Sequence, residues 1–360
     1  MIVINDIHLD PHRTGGTTPL SFAMLVNYTH DCFEQLLDVV GEQPEGQRDL
    51  LVNGDLFDGF TVSNNVMSRT FEALNQRLGS GVIERLYLSR GNHDISKNSE
   101  KLSSFDLLGE LLTAAHGVKV IVITDYEVVV TSAGPVWVLP HLPNQDLFDA
   151  AIEDICANPR PYLFVHANYD NGFAEEADHS LNVSKVRAEK LRSAGVKSLV
   201  FGHEHQPRQE ANGVFVVGNQ FPTSISDCLG NSEKRMLLVT PESMTTMATW
   251  EDKGSYTEVD WHKLDTVSPD VSFIRVKGEA TAEQAADVLA AVSSLRKSHN
   301  AYVITNAVEV DGRSMDVSAL EAVENVQRFD VITFLKDNLT AEQAAAVDAI
   351  VATRKETEDA

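Results

Sequence analysis

Five short apolar runs, each ending in a residue type that can bind a metal ion, constrain this chain more than any other feature. Ile2 to Ile4 leads into Asp6-Ile7-His8, Leu50 to Val52 into Gly54-Asp55-Leu56-Phe57-Asp58, and Leu86 to Leu88 into Gly91-Asn92-His93-Asp94. Tyr162 to Val165 leads into His166, and Ser198 to Phe201 into Gly202-His203-Glu204-His205. Runs of this length and composition read as buried β-strands. Strand ends then deliver the ligand types to one edge of a sheet. Oxygen and imidazole donors without thiolate suit a pair of divalent first-row metals, and such pairs do hydrolytic phosphorus chemistry.

Taken singly, each island is ambiguous. Asp6 and His8 stand two apart on a strand end and point the same way, so both can reach one ion, but Asp-x-His also arises by chance. Asp55 follows a glycine that permits a tight turn; it reads equally as a metal-bridging carboxylate, a turn residue or a helix cap. Asn92 offers an amide oxygen and His93 projects beyond it, although an Asn-His pair alone reads more readily as a loop. His203 and His205 repeat the alternate spacing with imidazoles. A lone His at a strand end is usually satisfied by a neighbour. Five islands in this order favour one shared site.

Strands and helices alternate through about Ser193, with helical stretches at Ser21 to Val40, Ser63 to Leu78 and Leu102 to His116. That alternation predicts an α/β layered domain. From Val118 to Leu139 the pattern turns to short β-branched runs broken by Ser132-Ala133-Gly134-Pro135, which reads as paired strands. Gly213 to Val217, Arg235 to Thr240 and Met244 to Trp250 read as further strands. The expected result is two sheets face to face with helices outside, over residues 1–255. Residues 251–270 are rich in charge, Ser, Gly and Pro and mark a boundary. A small α+β unit follows over 271–336: a strand at Val271 to Lys277, a helix at Thr281 to Leu295 and a strand at Ala301 to Val310. The segment Thr281-Ala282-Glu283-Gln284-Ala285-Ala286 recurs at Thr340 to Ala345. Both copies have the form of a capping box at a helix start, the second opening a final helix to about Arg354 within a 340–360 tail.

The chain has 360 residues and a net charge of -24. It therefore lacks the bulk basic signature of a protein that coats nucleic acid, so any polyanionic substrate must meet a local basic path or a partner. Cys32, Cys156 and Cys228 are odd in number and far apart, which argues against a disulfide framework and for a reducing compartment. No apolar stretch approaches the roughly 20 residues needed to span a bilayer, and the first residues read directly as a strand. A cytoplasmic location without membrane association is expected.

The set Asp-x-His, Gly-Asp-x-x-Asp, Gly-Asn-His-Asp, a separate His and Gly-His-x-His resembles the calcineurin-like metallophosphoesterases, over roughly residues 1 to 250. The fold implied is the two-sheet metallophosphoesterase sandwich flanked by helices. The resemblance assigns Asp6, His8 and His205 to one ion, Asn92, His166 and His203 to the other, and Asp55 to both. The ions it implies are Mn2+, with Mg2+ as the substitute. His93 resembles the family's catalytic His. Asp58 stands where some members carry a substrate-handling His, and is expected in the catalytic centre, orienting a ligand.

Within that family the chain is most similar to the nuclease subunits of the SbcC/SbcD type, including phage-encoded forms. Thr61-Val62-Ser63 follows the second motif, Ser103 to Leu108 follows the third, and the small module occupies the place of a DNA-capping domain. This resemblance implies a DNA exonuclease and endonuclease that works with an SbcC-type ATPase and forms a homodimer, in a host cytoplasm if phage-encoded. A phosphatase or phosphodiesterase acting on a small molecule or phosphoprotein is the alternative, and the acidity suits it. Fold and metal motifs do not choose between them. A scaffold without activity is disfavoured because every ligand type is present.

Overall fold

The computed structural model describes residues 1–12, 16–95, 101–171, 181–210, 213–229, 233–250, 254–311 and 313–314. A first sheet orders its six strands Met244–Trp250, Lys234–Val239, Ile2–Ile4, Asp49–Asn53, Arg85–Ser89 and Val120–Ile123. The last four run parallel. A second sheet orders Arg208–Glu210, Val214–Val216, Ser198–Gly202, Tyr162–His166, Gly134–Leu139 and Glu127–Thr131, with its four central strands parallel.

Strand periodicity explains how the sheets stack. Val3, Leu51 and Tyr87 of the first sheet pack with Val138, Phe164 and Val200 of the second, forming the layer between them. Their neighbours Ile2, Leu50, Val52, Leu86 and Leu88 point the other way, under the helices Pro19–Gly41, Asn64–Ser80 and Ser104–His116. On the far side, Leu163, Val165, Leu199 and Phe201 pack under Gln145–Ala157 and Lys185–Ala194. Strands covered on both faces need apolar residues at every position, which is why they read as continuous runs rather than as alternation. This is the sandwich expected from the sequence. The predicted break at Ser132 to Pro135 is the hairpin joining Glu127–Thr131 to Gly134–Leu139.

A third sheet, Tyr256–Asp260, Phe273–Ala280, Val303–Val310 and Arg313–Ser314, carries the helix Ala285–Ser298 on one face. Val288, Val292 and Leu295 of that helix meet Ile274, Val276, Ile304 and Val308. The capping box forms as predicted, with the Thr281 backbone N–H donating to Gln284 Oε1 at 3.0 Å. Tyr256–Asp260 lies inside the charged stretch read as a boundary. It pairs in parallel with Phe273–Ala280 and buries Val259 while Glu258 binds Arg275 and Lys277 outside, a charged edge that hides the strand from composition. The module is seated on the first domain: Leu25 and Tyr28 of the first helix, and Ile225 and Cys228, pack against Phe273, Tyr302 and Val303. Gly16 belongs to this junction, since a Cβ there would lie 2.8 Å from Val303 Cγ1. The end of the expected module to 336 and the expected helix from Thr340 to Arg354 lie outside the described residues. Among the described residues no helix is long and apolar enough to cross a membrane.

Candidate metal centre

The parallel strands of both sheets deliver the islands to one edge. Asp6 and His8 follow Ile2–Ile4, Asp55 follows Asp49–Asn53, Asn92 and His93 follow Arg85–Ser89, His166 ends its strand, and His203 and His205 follow Ser198–Gly202. The backbone there is unusual. Asp6, His8, Asp55 and His203 all have φ between 49° and 87°, the left-handed region that side-chain-bearing residues seldom adopt and that functional sites hold at a cost. Short turns force it: His8 N–H donates to the Asp55 carbonyl and Asp6 N–H to that of Gly54, locking the first two islands together.

The motif glycines explain themselves at the same point. A Cβ on Gly54 would lie 1.9 Å from His166 Nδ1, and one on Gly91 would lie 2.0 Å from Asp55 Oδ1. Gly202 is hemmed in by the Asn53 carbonyl and His166. These glycines are vacant space through which ligand side chains reach the edge. Only Gly54 adds the positive φ of a tight turn.

Two clusters share Asp55. His8, Asp55 and His93 bring one ligand atom each within 4.8 Å of one another, and so do Asp55, His166 and His203. His166 Nε2 lies 3.2 Å from Asp55 Oδ2 and 3.0 Å from Asn92 Oδ1, and His203 Nδ1 lies 2.8 Å from the same Asn92 oxygen. His205 Nε2 faces His8 Nε2 at 3.0 Å. Asp6 is turned differently: both its oxygens accept from the His203 backbone N–H, at 2.9 and 3.0 Å, and it belongs to neither cluster of three.

Tautomers test whether these groups suit a cation. His8 Nδ1 lies 2.8 Å from Asp58 Oδ1 and His205 Nδ1 lies 2.9 Å from Asp227 Oδ1. With a proton on each Nδ1, beside its carboxylate, each Nε2 presents a lone pair, and two acceptors then face each other at 3.0 Å. His166 repeats the situation: Nδ1 donates to the Asn53 carbonyl at 3.0 Å, and Nε2 looks at two oxygens. Convergent acceptors repel unless extra protons or cations lie between them. Imidazole fixed by a hydrogen bond on its other nitrogen is the usual arrangement of a metal-ligating His, so this donor set fits divalent ions.

The electrostatics show the same excess of acceptors. Burial works against a charged His166, yet the Asp55 and Asp6 carboxylates outweigh it and push its pKa up to about 9. Burial would also raise Asp55, but His166, His8 and His93 hold it well below the usual carboxylate range. His203, desolvated and facing His166, is pushed down to about 4.

His93 stands slightly apart. Its backbone N–H donates to Asp55 Oδ1 at 3.0 Å and its Nδ1 contacts the Asp58 carbonyl at 2.8 Å, so Nε2 is left for another partner. Its ring meets His8 edge-on at 5.0 Å. The Asp58 carboxylate binds His8 on one oxygen and His12 on the other, at 2.6 Å, a role for His12 that its sequence context does not reveal. His141, on the end of Gly134–Leu139, sits with its ring 6.5 Å from His166.

Sequence reading missed the carboxylate behind His205. Asp227 Oδ2 accepts from the backbone and hydroxyl of both Thr223 and Ser224; burial would raise its pKa, but His205 first, then the Thr223 backbone N–H and Lys234, hold it far below the ordinary value. Lys234, fully buried, donates to the His205 carbonyl at 2.9 Å. The only signal for Asp227 is the Ser224-x-x-Asp227 capping box, a pattern common at any helix start.

Residues 1–207 match the family model described as calcineurin-like phosphoesterase. The comparison with curated proteins gives no match. The matched segment ends just past His205 and takes in all five ligand islands, and with more than half of its length matched the chain belongs to the calcineurin-like phosphoesterase family.

Proposed function

We propose that this chain is a two-metal phosphodiester hydrolase that acts on DNA, the nuclease subunit of an SbcC/SbcD-type pair. The observation that carries the hydrolase reading is the convergence of ligand-type atoms, Nε2 of His8, His205 and His166 and Oδ1 of Asn92, around Asp55. We assign Asp6, His8 and His205 to one ion, Asn92, His166 and His203 to the other, and Asp55 to both. When bound there, two divalent ions, Mn2+ or Mg2+, would supply Lewis acidity for water activation and phosphodiester charge at neutral pH. The chain's own residues do the rest. Asp58 fixes the His8 ring through its carboxylate and the His93 ring through its carbonyl. His93 Nε2 then faces the site as the group that hands a proton or a hydrogen bond to the leaving oxygen.

The DNA reading is supported by the module seated beside the site-bearing domain, in the place of a capping domain. One observation favours the alternative, a phosphatase or phosphodiesterase with a small substrate: Lys277 is paired with Glu258, and Arg296 donates to the Ile304 carbonyl. The helix Ser104–His116 leaves Leu107 and Leu111, one turn apart, exposed, which suits a homodimer; sedimentation should give twice the monomer mass. The 340–360 segment, whose Ala344, Val347, Ile350 and Val351 have helical spacing, suits docking on an SbcC-type ATPase or packing on its own domain. Deleting it decides, since retained co-purification with the ATPase would remove the docking role.

The test is digestion of linear DNA with manganese, beside hydrolysis of an aryl phosphodiester and an aryl phosphomonoester. We expect DNA degradation and diester hydrolysis, with His93→Ala losing about 100-fold or more of both and keeping its metal. Cleavage of the monoester alone would overturn the nuclease reading.

A further inference from the structure

We propose that the small C-terminal module is a positioning element for the metal centre: by packing Phe273 and Val303 against Ile225 and Cys228 it fixes the Asp227 carboxylate, and through it the His205 ring. The inference rests on the proposed function only in treating His205 as a ligand. Asp227 sits on a single turn, Ile225–Cys228, too short to hold its own orientation. One side of that turn faces the site, where Asp227 Oδ1 meets His205 Nδ1 at 2.9 Å. The other side, Ile225 and Cys228, is buried in a cluster whose other fully buried members are Leu25 of the first helix and Phe273 and Val303 of the module.

The segment holding the turn is tied to the same ligand from a second direction. Lys234 donates to the His205 carbonyl at 2.9 Å, and Gly218 leaves no room for a Cβ, which would lie 2.8 Å from that carbonyl. His205 is thus gripped at ring and backbone by Gly218, Asp227 and Lys234, beyond the segment matched by the family. Tyr28 extends the contact, its ring lying 5.9 Å from Phe221, 6.2 Å from Phe273 and 4.8 Å from Tyr302. A shift of the module must therefore move the turn or open an apolar gap beneath it. Packed interfaces of this kind rearrange rather than stretch.

The experiment compares full-length wild type, Phe273→Leu, Asp227→Asn and Val276→Ala, the last trimming the module's own core away from the junction. Manganese titration calorimetry should show two ions in the wild type. Asp227→Asn should weaken one of them about 10- to 100-fold, and Phe273→Leu should weaken the same one about 3- to 10-fold, leaving the other unchanged. Val276→Ala should lower the melting temperature without moving either affinity. In chelator-treated protein, nitrogen NMR should find the His205 proton on Nδ1 in the wild type and in Val276→Ala, and a mixture of tautomers in Phe273→Leu and Asp227→Asn. Wild-type affinities and tautomer in Phe273→Leu would overturn the inference, as would equal weakening by Val276→Ala. Failure of the wild type to bind manganese would remove the metal-centre reading instead, while the tautomer comparison would still decide whether the module reaches His205.

Discussion

The two candidate ligand clusters proposed on either side of Asp55 are built by different means. In the His166, His203 and Asn92 cluster, the deep one for His166 alone, that fully buried ring is oriented by a neutral backbone carbonyl, that of Asn53, while His203 and Asn92 are half-buried. The His8 and His205 cluster is oriented by charge, with Asp58 and Asp227 each holding one ring, and the His205 side chain keeps 35% of its surface open. A carboxylate on the far nitrogen makes imidazole a stronger donor and fixes its direction. In the deep cluster the charge comes directly from Asp55, whose Oδ2 lies 3.2 Å from His166 Nε2. The difference teaches that the open cluster, next to His93, is the one whose geometry depends on carboxylates outside the candidate ligand set.

The largest effect should fall on the residue common to both. Asp55→Ala removes the shared carboxylate, and we expect both ions to bind at least 1,000-fold more weakly, roughly 4 kcal/mol each. Elemental analysis after gel filtration checks it, and retention of two ions would dissolve the distinction between the clusters. Gly91→Ala should approach the same loss, since its new Cβ would sit 2.0 Å from Asp55 Oδ1.

Next in size is a pH effect centred on His166. Without metal, Asp55 and Asp6 overcome burial to push His166 up to about 9, so the folded protein keeps a proton that the unfolded chain releases near pH 6.5. The resulting stabilisation is whole below pH 6.5 and is lost as pH rises through 9, on the order of 3 kcal/mol. Urea unfolding of chelator-treated protein at pH 6 and pH 9.5 should show it, and His166→Gln should remove most of the difference. Metal reverses the sign, because the ion needs the unprotonated ring; manganese should raise stability more at pH 8 than at pH 6.

The legible part of this molecule is what one strand and the loop after it can encode. Asp6, His8, Asp55, Asn92, His166, His203 and His205 each follow an apolar run, so the strand reading alone places them on one edge. Their roles are less legible. Asp6 and His8 share an alternate spacing, yet Asp6 bonds to the His203 backbone while His8 faces His205, because positive φ at both residues breaks the strand geometry from which their common direction was argued. Asp227 and Lys234 were not legible, since each acts on a residue at least 22 positions away. Tyr256–Asp260 escaped for another reason: an edge strand carrying Glu258 and Asp260 has the composition of a linker.

The smallest effect separates orientation from chemistry in the open cluster. Asp58→Asn removes the charge behind His8 but keeps the backbone carbonyl that holds His93 Nδ1. If Asp58 serves the ion through His8, the variant should weaken one ion about 10-fold, near 1.4 kcal/mol, and leave the deep ion untouched. Turnover should then recover almost fully at saturating manganese, because His93 is still aimed. A large loss of kcat at saturating metal with normal affinities would instead make Asp58 a group that meets the substrate, and the open cluster would owe its strength to Asp227 alone.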